Sequence, residues 1–172
     1  MSKWIKGAVV ALMIAGLAGC GVSTKDIEVE TVKSAKANLK GYKTYEIIKE
    51  SGVDDTLKKD KTLKNANVDA DIKALINTEL QKKGKIEVKK NPDFFVAYVA
   101  GADMNAMQIK LDKKGRSMIE NVPAAAMVLM LVDADTGSII WLSTAEGEFK
   151  GLPLDQQKKR LEYAVKKMFS GL

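Results

Sequence analysis

The chain has no histidine and only one cysteine in 172 residues. Without histidine there is no Ser-His-Asp triad, no Cys-His nucleophile and no imidazole metal ligand. A single thiol excludes an intrachain disulfide framework and a thiolate zinc cluster. The serines carry no Ser-x-x-Lys or Gly-x-Ser-x-Gly pattern, and no Gly-x-x-x-x-Gly-Lys cradle for phosphates is present. The uncharged, largely apolar run Gly7–Ala18 (GAVVALMIAGLA) falls short of the roughly 20 residues a membrane-spanning helix needs. What remains is 46% hydrophobic and 29% charged, the composition of a folded globular protein of one domain.

The apolar run has the length of a secretory h-region, and Lys3 and Lys6 precede it as a positive leader. It ends in Leu17-Ala18-Gly19-Cys20, which resembles the lipobox of bacterial lipoproteins. That resemblance implies cleavage between Gly19 and Cys20, thioether lipidation of Cys20 and acylation of the new amino terminus. An ordinary secretory signal or a short N-terminal anchor helix are the competing readings. The lipobox alone also explains an unpaired thiol in an exported protein. Each buried methylene contributes about 0.8 kcal/mol, so two or three chains on one residue anchor a protein where a single chain does not. By the same resemblance, Gly21 after the cysteine favours the outer membrane, with the protein facing the periplasm.

Without residues 1–19, which hold two Lys and no acids, 26 basic and 22 acidic groups remain. They are spread along the chain, so a solvated surface is expected and not a nucleic-acid interface. The division expected is a signal peptide over 1–19, a lipidated cysteine with tether and possible first strand over 20–40, and a folded domain over 41–172.

Ile27–Thr31 alternates as a short strand would, and Tyr42–Ile48 (YKTYEII) is rich in β-branched and aromatic residues. Ser51–Asn67 reads as an exposed charged loop. Asn67 as cap, Asp69 and Asp71 in a first turn, and Gly84 as a stop bracket a helix. Its apolar face is Val68, Ile72, Leu75, Ile76 and Leu80. Phe94–Ala100 (FFVAYVA) predicts a central strand, either covered on both faces or lying under a helix. Ala124–Val132 and Ser138–Ala145 predict a hairpin turned by Asp133–Gly137, in which Gly137 takes the left-handed conformation. A final amphipathic helix begins with Pro153 in its first turn and buries Leu154, Leu161, Val165, Met168 and Phe169. Gly101–Pro123 reads equally as a hairpin around Lys113–Arg116 or as a loop. The expected fold is α+β, a mainly antiparallel sheet with two amphipathic helices on one face.

The chemistry-bearing residues are sparse. Asp133-x-Asp135-x-Gly137 lacks the glycine and glutamate positions of a calcium loop and reads as a turn. Glu146 and Glu148 read as solvated carboxylates of a strand edge. Trp141 reads as a core anchor. Met104, Met107 and Met118 offer either an adaptable apolar binding surface or ordinary core filling. No catalytic residue, metal site or cofactor is expected.

The order of a lipobox, Tyr42-Lys-Thr-Tyr45, a helix ending Lys-Lys-Gly, Asn91-Pro92-Asp93-Phe94-Phe95-Val96-Ala97-Tyr98, Asp-x-x-Thr-Gly-x-x-x-Trp at 133–141 and a terminal helix is similar to a family of bacterial envelope lipoproteins built around a domain of unknown function. The similarity spans about Lys25 to Phe169 and implies localisation and fold but no activity. The expectation is therefore a non-enzymatic accessory or binding module. Its partners would be membrane lipid through acylated Cys20 and an envelope protein. Two rivals are a carrier or sensor of a lipid-like ligand held between sheet and helices, and a hydrolase whose site leaves no linear trace.

Overall fold

In a computed structural model, residues 22–35, 37–55, 66–101, 106–111, 117–122, 127–148 and 151–172 are described, with 106–111 and 117–122 described by their backbone pairing. The elements are β1 (Glu28–Lys33), β2 (Thr44–Ile47), β3 (Gly52–Val53), α1 (Val68–Lys82), β4 (Ile86–Glu87), β5 (Phe94–Ala100), β6 (Ala106–Leu111), β7 (Ser117–Val122), β8 (Met127–Asp133), β9 (Ile139–Glu146) and α2 (Leu154–Ser170).

The sheet runs β1-β9-β8-β5-β2-β4, with β3 also on β5. The pairs β1–β9, β9–β8 and β8–β5 are antiparallel, whereas β2 and β3 lie parallel to β5, and β4 parallel to β2. The fold is thus α+β with a mostly antiparallel sheet, as expected. The two-residue strands β3 and β4 are the elements the sequence did not announce. They are too short to show alternation, and β3 lies in the stretch read as a loop.

One sheet face carries the core. Phe94, Val96, Tyr98 and Ala100 alternate inward from β5, and Leu131, Leu129 and Met127 stand opposite Val96, Tyr98 and Ala100 on β8. Phe95 and Ala97 are half-buried and Val99 is exposed on the other face, so β5 lies under helices on one side and is not covered on both. On β9 the register shifts between Leu131 and Val132, leaving Ile140 as an extra residue between Trp141 and Ile139. That bulge lets Ile140 and Trp141 both join the core. Val128 and Leu142, with Met130 and Ile139 against them, form a separate small cluster on the opposite face.

Both helices contribute to the same core, through Ile72, Ile76 and Leu80 of α1 and Ala164, Val165, Met168 and Phe169 of α2. The ends of α1 are as the sequence predicts. The Asn67 side chain accepts a hydrogen bond from the Ala70 N–H at 3.1 Å. At the other end Gly84 takes φ +71°, the Gly84 N–H donates to the Gln81 carbonyl, and the Lys85 N–H donates to the Leu80 carbonyl. This is the paired closure that a left-handed glycine allows.

Helix α2 departs from expectation in two places. Pro153 stands just before the helix with extended backbone (ψ 147°). Leu154 is exposed, while Gln157 and Arg160 are buried in the stripe. Trp141 is fully buried and stacks on Phe169 at 5.6 Å between ring centroids, as its reading as a core anchor requires. A Trp141→Ala variant is expected to lose about 3–5 kcal/mol of stability, read as a lower midpoint in urea unfolding.

Candidate functional site

The polar architecture concentrates at three places. The first is the junction where the chain enters the domain. Ile27 is buried, and the segment Ser23–Ile27, where the sequence predicts a tether running into a strand from Ile27, is bonded to α2. The guanidinium of Arg160 grips the Asp26 carboxylate with two nitrogens, Nη1 to Oδ1 at 2.9 Å and Nη2 to Oδ2, and Nη1 also donates to the Ser23 carbonyl. The Glu148 N–H donates to Asp26 Oδ2 at 3.2 Å, and Lys167 Nζ donates to the Ile27 carbonyl at 3.0 Å. Arginine suits this position because its planar fork satisfies a carboxylate bidentately and is more weakly hydrated than lysine, which matters for a side chain only 4% exposed. The Arg160 hydrogen bond holds the Asp26 carboxyl well below its ordinary 3.8, at about 2, against an opposing desolvation cost and with help from the Glu148 N–H.

The second place is a cleft of about 430 Å³ bordered by Glu50, Ser51, Gly52, Val53, Asp54, Asp69 and Val99. Of its border, Asp69 reaches back to the core, where the Tyr98 hydroxyl donates to its Oδ1 at 2.5 Å, and its Oδ2 pairs with Lys73 Nζ at 2.9 Å. Burial, then the Asp69 bond, pushes the Tyr98 phenol far up. Gly52 lies close against this group: a Cβ there would stand 3.2 Å from Asp69 Oδ1, so the carboxylate would have to give by a few tenths of an ångström.

The third place explains two of the sequence motifs. Asp133 Oδ1 accepts from the N–H groups of Asp135 and Thr136 and from the Thr136 hydroxyl, and its Oδ2 accepts from the Tyr42 hydroxyl. Gly137 has φ +67°. The Asp133–Gly137 motif is therefore a turn whose aspartate is spent on the turn's own backbone, on the Thr136 hydroxyl and on the Tyr42 hydroxyl just ahead of β2. Asp93 similarly accepts from the N–H groups of Lys43 and Thr44 at 2.6 and 2.8 Å, tying β5 to β2. Lys85 Nζ donates to the carbonyls of Leu39 and Tyr42, and burial lowers its pKa.

Of the residues singled out from sequence, Gly19, Cys20 and Met104 lie outside the described residues. Met107 and Met118 fall on the β6–β7 hairpin, opposite Asn121 and Lys110 respectively. Glu146 lies opposite Glu28 at the end of β9, and burial with Glu28 and Glu30 raises its pKa. Glu148 lies just beyond the strand. Sequence reasoning missed Arg160 and Asp26. The available signal was an arginine on the stripe shared with Ala164 and Met168, in a chain whose basic residues are otherwise nearly all lysine. Among the described residues no group of three or more His, Cys, Asp or Glu is placed to hold a metal ion, and no helix is long and apolar enough to cross a membrane.

Residues 29–172 match the family described as Domain of unknown function (DUF4136). The chain belongs to this family. Its fold is similar to a solved protein of the same family from Bacteroides thetaiotaomicron, with TM-score 0.59 and 15% identity over 85% of this chain and 95% of that one. It is also similar to a PelC dodecamer from Paraburkholderia phytofirmans, with TM-score 0.50 and 11% identity over 85% of this chain and 97% of that one. At these identities the likeness is one of fold. No curated protein matches the chain.

The Asp26–Arg160 pair makes stability depend on acid. A carboxylate whose folded pKa is depressed contributes fully above 3.8, and the contribution is lost as pH falls toward about 2. Asp26→Asn is expected to cost about 1 kcal/mol near neutrality, the small end for a charged pair because the carboxylate is about half exposed. The gap between parent and variant in urea unfolding should close on acidification. At alkaline pH the sign reverses. The phenols of Tyr42 and Tyr45 are pushed up to about 12, by the Asp133 hydrogen bond and by burial respectively. Their contribution is complete below 10 and lost as pH rises through 12, so phenolate absorbance should lag that of the urea-unfolded chain over this window.

Proposed function

We propose that this protein is a lipid-anchored component of the bacterial cell envelope, held through acylated Cys20 at the periplasmic side of the outer membrane. Its domain serves as a non-enzymatic binding or assembly module. The observation that carries this reading is the position of Leu17-Ala18-Gly19-Cys20 directly before a domain whose packed residues begin at once, with Ser23 bonded to Arg160 and Ile27 buried. Anchoring would keep the domain near membrane partners and raise its effective concentration for weak contacts.

Surface binding fits the interior better than carriage of an apolar ligand. The cavity bordered by Leu39, Tyr42, Lys85, Phe94, Leu131, Ile140 and Leu172, between the sheet and the chain ends, holds about 10 Å³, roughly room for one water. The carboxylates of Asp26, Asp69, Asp93 and Asp133 are engaged in bonds that tie elements together, which favours a structural use of them over hydrolysis. The PelC dodecamer on a similar fold supports a further copy of the chain as the envelope partner to test first.

Cys20→Ser is expected to abolish acylation, leave the precursor uncleaved and shift the protein out of its normal membrane fraction, read by intact mass and fractionation. An unchanged mass and distribution would refute the anchor.

A further inference from the structure

We propose that the Arg160–Asp26 junction seats the domain directly on the lipid surface by one end of its sheet, so that the anchored protein does not swing on a tether. This rests on the reading of Cys20 as the lipidated residue. Ser23 is three residue steps from Cys20, with Gly21 and Val22 between them, and a fully extended chain spans at most about 3.6 Å per step, so Ser23 stays within roughly 11 Å of the acylated cysteine. Beyond Ser23 no slack remains. Its carbonyl is held by Arg160, Asp26 is gripped by the same guanidinium and by the Glu148 N–H, the Ile27 carbonyl is held by Lys167, and β1 then pairs with β9 from Glu28–Glu146 to Lys33–Trp141.

This geometry decides which end faces lipid. β1 enters the sheet where β9 leaves it, so the Glu146 end and the connection into α2 lie beside the anchor. The Asp133–Ser138 turn lies at the other end of β9, eight residues away, or roughly 25 Å at strand spacing. The connection at the anchored end also presents Leu154 at 37% exposure, directly after Pro153 and half-buried Leu152. An apolar side chain left in the open at this end suits contact with the interfacial zone of a bilayer. The occupant of this end is therefore the lipid surface itself.

The experiment uses the full-length acylated protein, reconstituted into phosphatidylethanolamine–phosphatidylglycerol vesicles that carry a headgroup acceptor dye. A donor is placed at Lys25→Cys, beside the junction, or at Asp135→Cys, on the far turn; both positions are exposed. With Cys20 acylated, each introduced thiol is the sole site of labelling. Energy transfer to the bilayer is expected to be about twofold or more stronger from position 25 than from position 135, given the roughly 25 Å between the ends. A Gly/Ser insertion of about 20 residues between Gly21 and Val22, which leaves the fold untouched, should bring the two close to equality, since a flexible linker of that length reaches across the domain. Acylated protein giving equal transfer from both positions, or a difference the insertion does not reduce, overturns the seating alone. A mass without acyl chains, with no co-flotation on vesicles, overturns the anchor and the seating together.

Discussion

The stacking of Trp141 on Phe169 is the contact on which most of the structure depends. Trp141 sits on β9, the strand paired on one side with β1 and on the other with β8, and Phe169 sits in the last turn of α2. A buried aromatic pair contributes area that no smaller side chain supplies, and its preferred ring separations fix geometry as well as energy. Because α2 is docked here at its C-terminal end, its N-terminal half is directed to the place where the chain enters the domain. Arg160 and Lys167 can reach Ser23–Ile27 only because this aromatic contact and the neighbouring Val165 and Met168 hold the helix in place. The Arg160–Asp26 junction thus follows from core packing, which sets the helix where its guanidinium meets the carboxylate.

Local chemistry was legible wherever a single residue decides a conformation. Asn67 caps α1, Gly84 closes it, and Gly137 turns the β8–β9 hairpin, each readable from the chain alone because its effect spans a few residues. Periodicity correctly placed Ile72, Ile76 and Leu80 in the core, and the apolar run FFVAYVA marked a strand of the sheet without saying which of its faces would be buried. The parallel additions β3 and β4 were not legible, since pairs of residues such as Gly52–Val53 carry no period and acquire strand geometry only from the partner they lie against. Leu154 lies outside the buried stripe it was expected to join, and Arg160 went unnoticed, for a related reason. A helical stripe identifies which residues share a face, but it cannot say that a separate segment, Ser23–Asp26, will come to cover a polar member of that face and leave an apolar one outside.

The polar residues that do bond tightly share a pattern. Asp93, Asp133 and Asp26 each accept from main-chain N–H groups, and each has its pKa lowered, by those groups at Asp93 but first by the Tyr42 hydroxyl at Asp133 and by the Arg160 guanidinium at Asp26. Tyrosines 45 and 98 bury their rings and Tyr42 half-buries its own, while their hydroxyls reach Asn77, Asp69 and Asp133 respectively. Aromatic bodies with polar tips let a narrow core meet water without leaving unsatisfied groups. The segments around Pro92-Asp93 and Asp133–Trp141 belong to this scaffolding, tying strands and turn together.

The pairing of β1 with β9 has a consequence for how the molecule is made. Residues 28–33 find their neighbours at 141–146, and Asp26 finds Arg160, so the earliest part of the domain is joined to nearly the latest. Contacts so far apart in sequence carry a loop-closure penalty that must be met before they return any stabilisation. The leading strand therefore waits, unpaired at the sheet edge, until almost the whole polypeptide has been synthesised.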